Sequence, residues 1–260
     1  MLAGVSAEYY VRLERGNVQG VSEDVLEGIA RALQLDEGDR MHLFDLARAV
    51  NTAPGRRSSR RQAQEHVRPV VQRILDSLVG VPAFVQSART DVLAANQLGE
   101  AFYMSQFADP TRPVNGARFV FLNPRAKEFF LDWHKIANDS VGILRAEAGR
   151  DPYDKRLSDL IGELSTRSED FRTRWATHHV KLHRTGVKRF NHPVVGEMTL
   201  DFEMLDLPGD PGQKILLYSA EPASPSRERL DLLASWAATR TDERLAAVDE
   251  PFDLRSEQGR

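Results

Sequence analysis

The chain has 260 residues, 41% hydrophobic and 28% charged, with a formal net charge of −3 and no cysteine. This length can bury a real core as one large or two ordinary domains, and the composition is that of a soluble globular chain, not a disordered one. No apolar run approaches the roughly 20 residues of a membrane span; without cysteine there are no disulfides, thiolate zinc sites or cysteine nucleophiles, and a reducing cytoplasm is the expected compartment.

Three short helices are predicted in the first 50 residues. The first runs from about Ser6 to Arg15, with Tyr10 and Leu13 on one face and Gly16 as its stop. The second follows the cap Ser22 and carries Val25, Leu26, Ile29 and Leu33 at helical spacing. The third starts near Asp36, where Glu37 and Asp39 suit the positive end of the dipole, and presents Met41, Phe44, Ala47 and Val50. Residues 51–64 combine turn formers and serines with Arg56, Arg57, Arg60 and Arg61, and read as a basic linker.

A second domain is expected over residues 65–240, with a disordered tail at 241–260. It opens with a helix from Val67 to Val79 and a hairpin of Ala83–Gln86 and Asp91–Ala95 around a turn at Ala88–Thr90. Asn96 caps a short helix. Arg118 precedes a strand-like apolar stretch. Asn123-Pro124 starts a helix with the stripe Phe130, Trp133, Ala137, Val141 and Leu144, ending at Gly149. Asp151-Pro152 repeats that start signal, and Thr166 with Glu169 predicts a capping box for one more helix. From Val180 the period becomes two: Leu200, Phe202 and Met204 alternate with polar residues, and Ile215–Ala220 suits a central strand. Three closing antiparallel strands should complete the sheet begun by the hairpin, and Ser224-Pro225 starts a last helix. The fold class is α+β.

The string AGVSAEYYVRLERG places a glycine turn before a serine-capped helix. Ser6, Ala7, Glu8, Tyr9 and Arg12 then lie where a recognition helix meets DNA: Arg12 suits guanine, Glu8 can accept from cytosine, and Tyr9 faces a phosphate. This string resembles the recognition-helix region of lambda-repressor-type (xenobiotic-response-element) regulators. The following VSEDVLEGIARALQLDEGDRMHLFDLARA is similar to the fourth and fifth helices of the MmyB-like subgroup. VLAANQLGEAFY, RFVFLNPRAKEFFLDW, LIGELSTRSEDFRTRWA, FNHPVVGEMTLDFEML and YSAEPASPS resemble that subgroup's second domain. The resemblance implies residues 1–50 as a partial helix-turn-helix domain, joined to a PAS-like sensor with a five-stranded antiparallel sheet. It further implies double-stranded DNA and a fatty acid or similar hydrophobic effector as partners, no cofactor, and a homodimer. The family's helices before the turn are missing from the chain, so weak or absent sequence-specific DNA binding is expected of it as written. The alternative is a sensor that does not bind DNA and works by pairing with intact relatives.

Trp133, Trp175 and Phe202 are the expected cavity-lining aromatics, set against the plainer reading that each is core. For a carboxylate effector, Arg118, His178 and His192 are the candidate partners, against a surface ion pair or a satisfied core histidine. His178, His179 and His183 lack metal-ligand spacing, and no GxSxG, GxGxxG or P-loop supports an enzyme.

Overall fold

The computed structural model describes residues 6–14, 21–35, 40, 43–44, 47, 66–177 and 184–249. Helix α1 spans Ala7–Glu14 and helix α2 Glu23–Ala32. Ser6 Oγ accepts the Tyr9 N–H at 3.2 Å, and Ser22 Oγ accepts that of Val25 at 3.4 Å. Each serine thus satisfies an amide that has no partner within its own helix. Leu26, Ile29 and Ala30 bury one face of α2. Of the expected third helix, Arg40, Leu43, Phe44 and Ala47 are helical. Its remainder, the basic linker at 51–64 and the last residues of the expected tail, 250–260, lie outside the described residues.

From residue 69 on the elements run in the order α3 (Pro69–Ser77), β1 (Ala83–Ser87), β2 (Val92–Ala95), α4 (Gln97–Phe102), α5 (Met104–Phe107), α6 (Gly116–Leu122), α7 (Arg125–Phe129), α8 (Trp133–Arg150), α9 (Lys155–Arg167), α10 (Glu169–Ala176), β3 (Thr185–His192), β4 (Gly196–Asp206), β5 (Gln213–Ser219) and α11 (Pro225–Asp249). The hairpin and the three closing strands form one antiparallel sheet in the order β2-β1-β5-β4-β3, which is the expected α+β class. The last strand enters the centre of the sheet, between β1 and β4. That position explains why Ile215, Leu216 and Leu217 are all apolar: both of its faces are covered.

Alternation divides the residues between the two faces. Phe84, Leu216, Tyr218, Leu200, Phe202, Met198 and Phe190 face front, against Phe102 of α4, Phe129 of α7, Trp133 of α8 and Leu230 of α11. Ala83, Val85, Ile215 and Leu217 face back, where Val71 and Leu75 of α3 cover them. A separate cluster of Val141, Leu144, Leu157, Leu160, Leu164 and Phe171 joins α8, α9 and α10. Asn96 secures the entry to α4: its side-chain oxygen accepts from Gly99 and Ala83, and its amide donates to the carbonyls of Leu78 and Val81. Gly99 is required there, because a methyl group on it would stand 2.7 Å from the Ala83 carbonyl oxygen. Arg89, 15% exposed, binds Asp91 at 3.2 Å and Asp154 at 2.9 Å. It thereby ties the β1–β2 turn to the start of α9, whose cap is Asp154.

Several expectations need correction. The helix predicted from Asn123 to Gly149 is two helices. Phe130 is extended and bridges Phe190, and the Leu131 N–H donates to the Arg189 carbonyl. The chain thus leaves the helix to pair with the outer edge of β3, an exchange in which backbone hydrogen bonds are replaced and not lost. The apolar stretch after Arg118 is helix α6 and not a strand, because the Asn115 side chain caps it through the Arg118 N–H. Helix α9 starts at Lys155 after the cap Asp154, so Pro152 lies in the preceding turn. The cap of α10 is Ser168, while the Thr166 hydroxyl donates back to Gly162 within α9. Helix α11 continues to Asp249, into the segment expected to be a tail.

Candidate functional site

Strand β3 alternates so that Gly186, Lys188, Phe190 and His192 point to the front of the sheet, while Thr185, Val187, Arg189 and Asn191 point away. Lys188 is therefore the one cation this strand sends toward the aromatic layer. Its Nζ lies 4.0 Å from the centre of the Phe202 ring and 3.5 Å from the Tyr218 hydroxyl. Tyr218 Oη in turn lies 2.8 Å from that of Tyr103, and both tyrosines are buried. A chain of three polar groups thus runs from β3 across β5 to the end of α4. Rings enclose it: Phe84, Phe102 and Phe190 contact Tyr218 edge-on or tilted, with centroids 6.3, 5.2 and 5.4 Å away.

Electrostatics follow from that enclosure. Burial pushes the Lys188 ammonium down to about 8, against some support from Asp139 and with Lys135 acting in the same direction as burial. Burial also raises both phenols, Tyr218 well above its ordinary value, so both remain protonated donors. Among the described residues no carboxylate stands within ion-pair distance of Lys188.

The expected ligand residues are distributed over two clusters. Phe202 and Trp133 belong to the front-face layer, and the Trp133 indole N–H donates to the Val120 carbonyl at 3.0 Å. Lys127 and Arg174 stand over the Trp133 ring at 4.5 and 5.1 Å. Trp175 packs in the helical cluster, stacked on Phe171 with Arg145 over it. Phe121 bridges the two groups through edge contacts with Trp133 and Phe171. Arg118 is engaged by Glu163 at 2.8 Å, holding α6 to α9. His192 is buried and stacked on Phe102; it accepts the Val194 N–H at Nδ1, so Nε2 carries the proton and donates to the Ala101 carbonyl. Burial lowers its pKa. His178, with His179 and His183, lies outside the described residues.

At the other end of the chain, Ser6, Glu8 and Arg12 are exposed and Tyr9 is partly buried; Ala7 is the first residue of α1. Elsewhere, α4, α5 and α11 border a surface cleft of about 320 Å³ lined by Gln97, Glu100, Met104, Phe107, Trp236 and Arg240, none of which is among the expected ligand residues.

Sequence reasoning missed Lys188 and gave Tyr103 and Tyr218 no role as hydroxyls. The signal was present: Lys188 is two residues before Phe190 and four before His192, so strand parity puts it on their face.

Among the described residues, no helix is long and apolar enough to cross a membrane, and no group of three or more His, Asp or Glu is placed to hold a metal. Compared with known families, residues 67–233 match the MmyB-like transcription regulator ligand binding domain. No curated protein matches the chain.

Proposed function

Because this chain belongs to the family of MmyB-like transcription regulator ligand-binding domains, we propose that it is a cytoplasmic transcription regulator whose second domain senses an apolar small molecule, a fatty acid or a molecule of like chemistry. The observation that carries this reading is the front of the sheet, where a layer of aromatic rings surrounds one lysine and two hydroxyls. Polar groups in an apolar interior cost stability unless well partnered. An effector site, by contrast, is apolar with a few polar groups that orient the ligand. The antiparallel sheet with helices packed on its front is also the architecture expected of a PAS-like sensor.

The same reading gives α1 the role of contacting DNA through Ser6, Ala7, Glu8, Tyr9 and Arg12. Glu8 and Arg12 are one helical turn apart on the exposed side of the helix, open to base edges. A homodimer would set two such helices in successive major grooves. The effector acts on DNA binding only so far as it favours one arrangement of the dimer over another. Two measurements test the proposal. Native mass spectrometry of the purified protein should find an added mass of lipid size, and a gel shift with the DNA flanking its own gene should change when decanoate is added. A protein with no adduct that binds neither decanoate nor decanol refutes the sensing role. A protein that leaves that DNA unshifted at micromolar concentration refutes the DNA-binding role.

A further inference from the structure

We infer that Lys188, with the hydroxyls of Tyr218 and Tyr103, is the anchor for the singly charged carboxylate head of the effector; the inference rests on the sensing role proposed above. The first support is a count of hydrogen-bonding groups. Lys188 brings three N–H donors and no acceptor, and each tyrosine brings one O–H beside its own lone pairs. The acceptors that the protein sets among them are the two phenolic oxygens, one joined to the other at 2.8 Å and one reached by Nζ at 3.5 Å. The Lys188 ammonium brings donors and no acceptor and makes one long contact, to Tyr218, so an acceptor-only group suits it.

The second support is charge. The Lys188 ammonium leans on the face of the Phe202 ring and has no carboxylate within ion-pair distance among the described residues. A ring face attracts a cation but does not neutralise it. Asp139 and Lys135, both on α8, act on Lys188 with opposite signs; Asp139 is the larger of the two and offsets part of the burial cost without pairing with the ammonium. One positive charge without an ion-pair partner among the described residues matches one negative charge. A phosphate head, with up to two charges and more acceptor oxygens, suits the forked guanidinium of arginine better, and among the described residues no arginine hydrogen-bonds to the Tyr103 or Tyr218 hydroxyl. A neutral alcohol or ester would satisfy a hydroxyl and leave the ammonium without an ion-pair partner.

The third support is the surroundings. Phe84, Phe102, Phe190, Leu200 and Phe202 lie around the polar chain, so the molecule attached to the carboxylate must be apolar. Burial, by opposing the charge on Lys188, makes the ammonium readier to gain from an arriving anion than one in water.

The test compares decanoate with decanol by isothermal titration calorimetry at pH 7, on the wild-type protein and on Lys188→Met, Lys188→Arg and Tyr218→Phe. The wild-type protein should bind decanoate at least about tenfold more tightly than decanol, the scale of one charge-assisted hydrogen bond. Lys188→Met should lose about tenfold for decanoate and keep its decanol affinity, which also shows that it is folded. Lys188→Arg should retain the preference for the acid, and Tyr218→Phe should reduce it by a smaller factor. If the wild-type protein binds acid and alcohol equally, or if Lys188→Met holds decanoate as tightly as wild type, the anchor is overturned while the sensing role stands. If neither compound binds, both fall.

Discussion

Replacing Lys188 by methionine should make the ligand-free protein more stable at neutral pH, and the size of the gain can be worked out from the structure. Lys188 titrates near 10.5 in an unfolded chain and near 8 in the folded one, because burial opposes its charge. That difference corresponds to about 3 kcal/mol held against folding while the group is charged in both states. The contact with the Phe202 ring returns part of it, about 1 kcal/mol. Methionine keeps the unbranched shape without the charge, so a net gain of about 1–3 kcal/mol is expected at pH 7. The pH dependence gives a second reading. Below about 8 both states are protonated and the full cost is present. Between about 8 and 10.5 the unfolded chain keeps a proton that the folded protein has released, so wild-type stability rises with pH relative to the variant. Above that range the difference should be small. Urea unfolding followed by circular dichroism, at pH 7 and again near pH 10, measures both quantities. A Lys188→Met protein less stable than wild type at pH 7 with an unchanged m-value, or a gain that does not shrink with pH, would refute the reasoning.

Other substitutions probe the frame around the site. Arg89→Ala should cost about 3 kcal/mol in urea unfolding, because it strands Asp91 and Asp154 with little exposure; removing Asp154 as well should add less than its own single cost. Ser168→Ala should cost about 1 kcal/mol, the usual loss when a cap no longer accepts the Phe171 N–H, whereas Thr166→Ala should cost less. His192 should titrate below 6.5 by NMR, because burial opposes its charge, more than the hydrogen bond to the Ala101 carbonyl supports it. Its folded form resists protonation, so stability should fall as pH drops below 6.5, until the folded histidine is itself protonated. A midpoint at or above 6.5 would show that the buried ring tolerates charge.

What could be read before the fold was known was local chemistry. Ser22, Asn96 and Asn115 stand one residue ahead of helices that their side chains cap, and a cap acts over three residues of sequence. Even here Asn115 was overlooked, because the short apolar run behind Arg118 fits a buried strand as well as a buried helix. Thr166 and Ser168 are both cap formers, and the choice between them rests on where α9 ends. The alternation of Leu200, Phe202 and Met204 was visible because one face of β4 is buried and the other is in water.

The amino-acid order by itself determined the elements with periodic burial, the hairpin, the antiparallel closure of the sheet and the kinship of residues 67–233, since each is written in spacings of a few positions. Only the tertiary structure decided the break at Phe130, because the group that receives its backbone is Phe190, distant in sequence and adjacent in space. It alone also decided the company of Lys188. Tyr103 and Tyr218 come from the end of a helix and from the central strand, and nothing shorter than the finished sheet brings the Tyr218 hydroxyl to both the Lys188 amine and the Tyr103 hydroxyl.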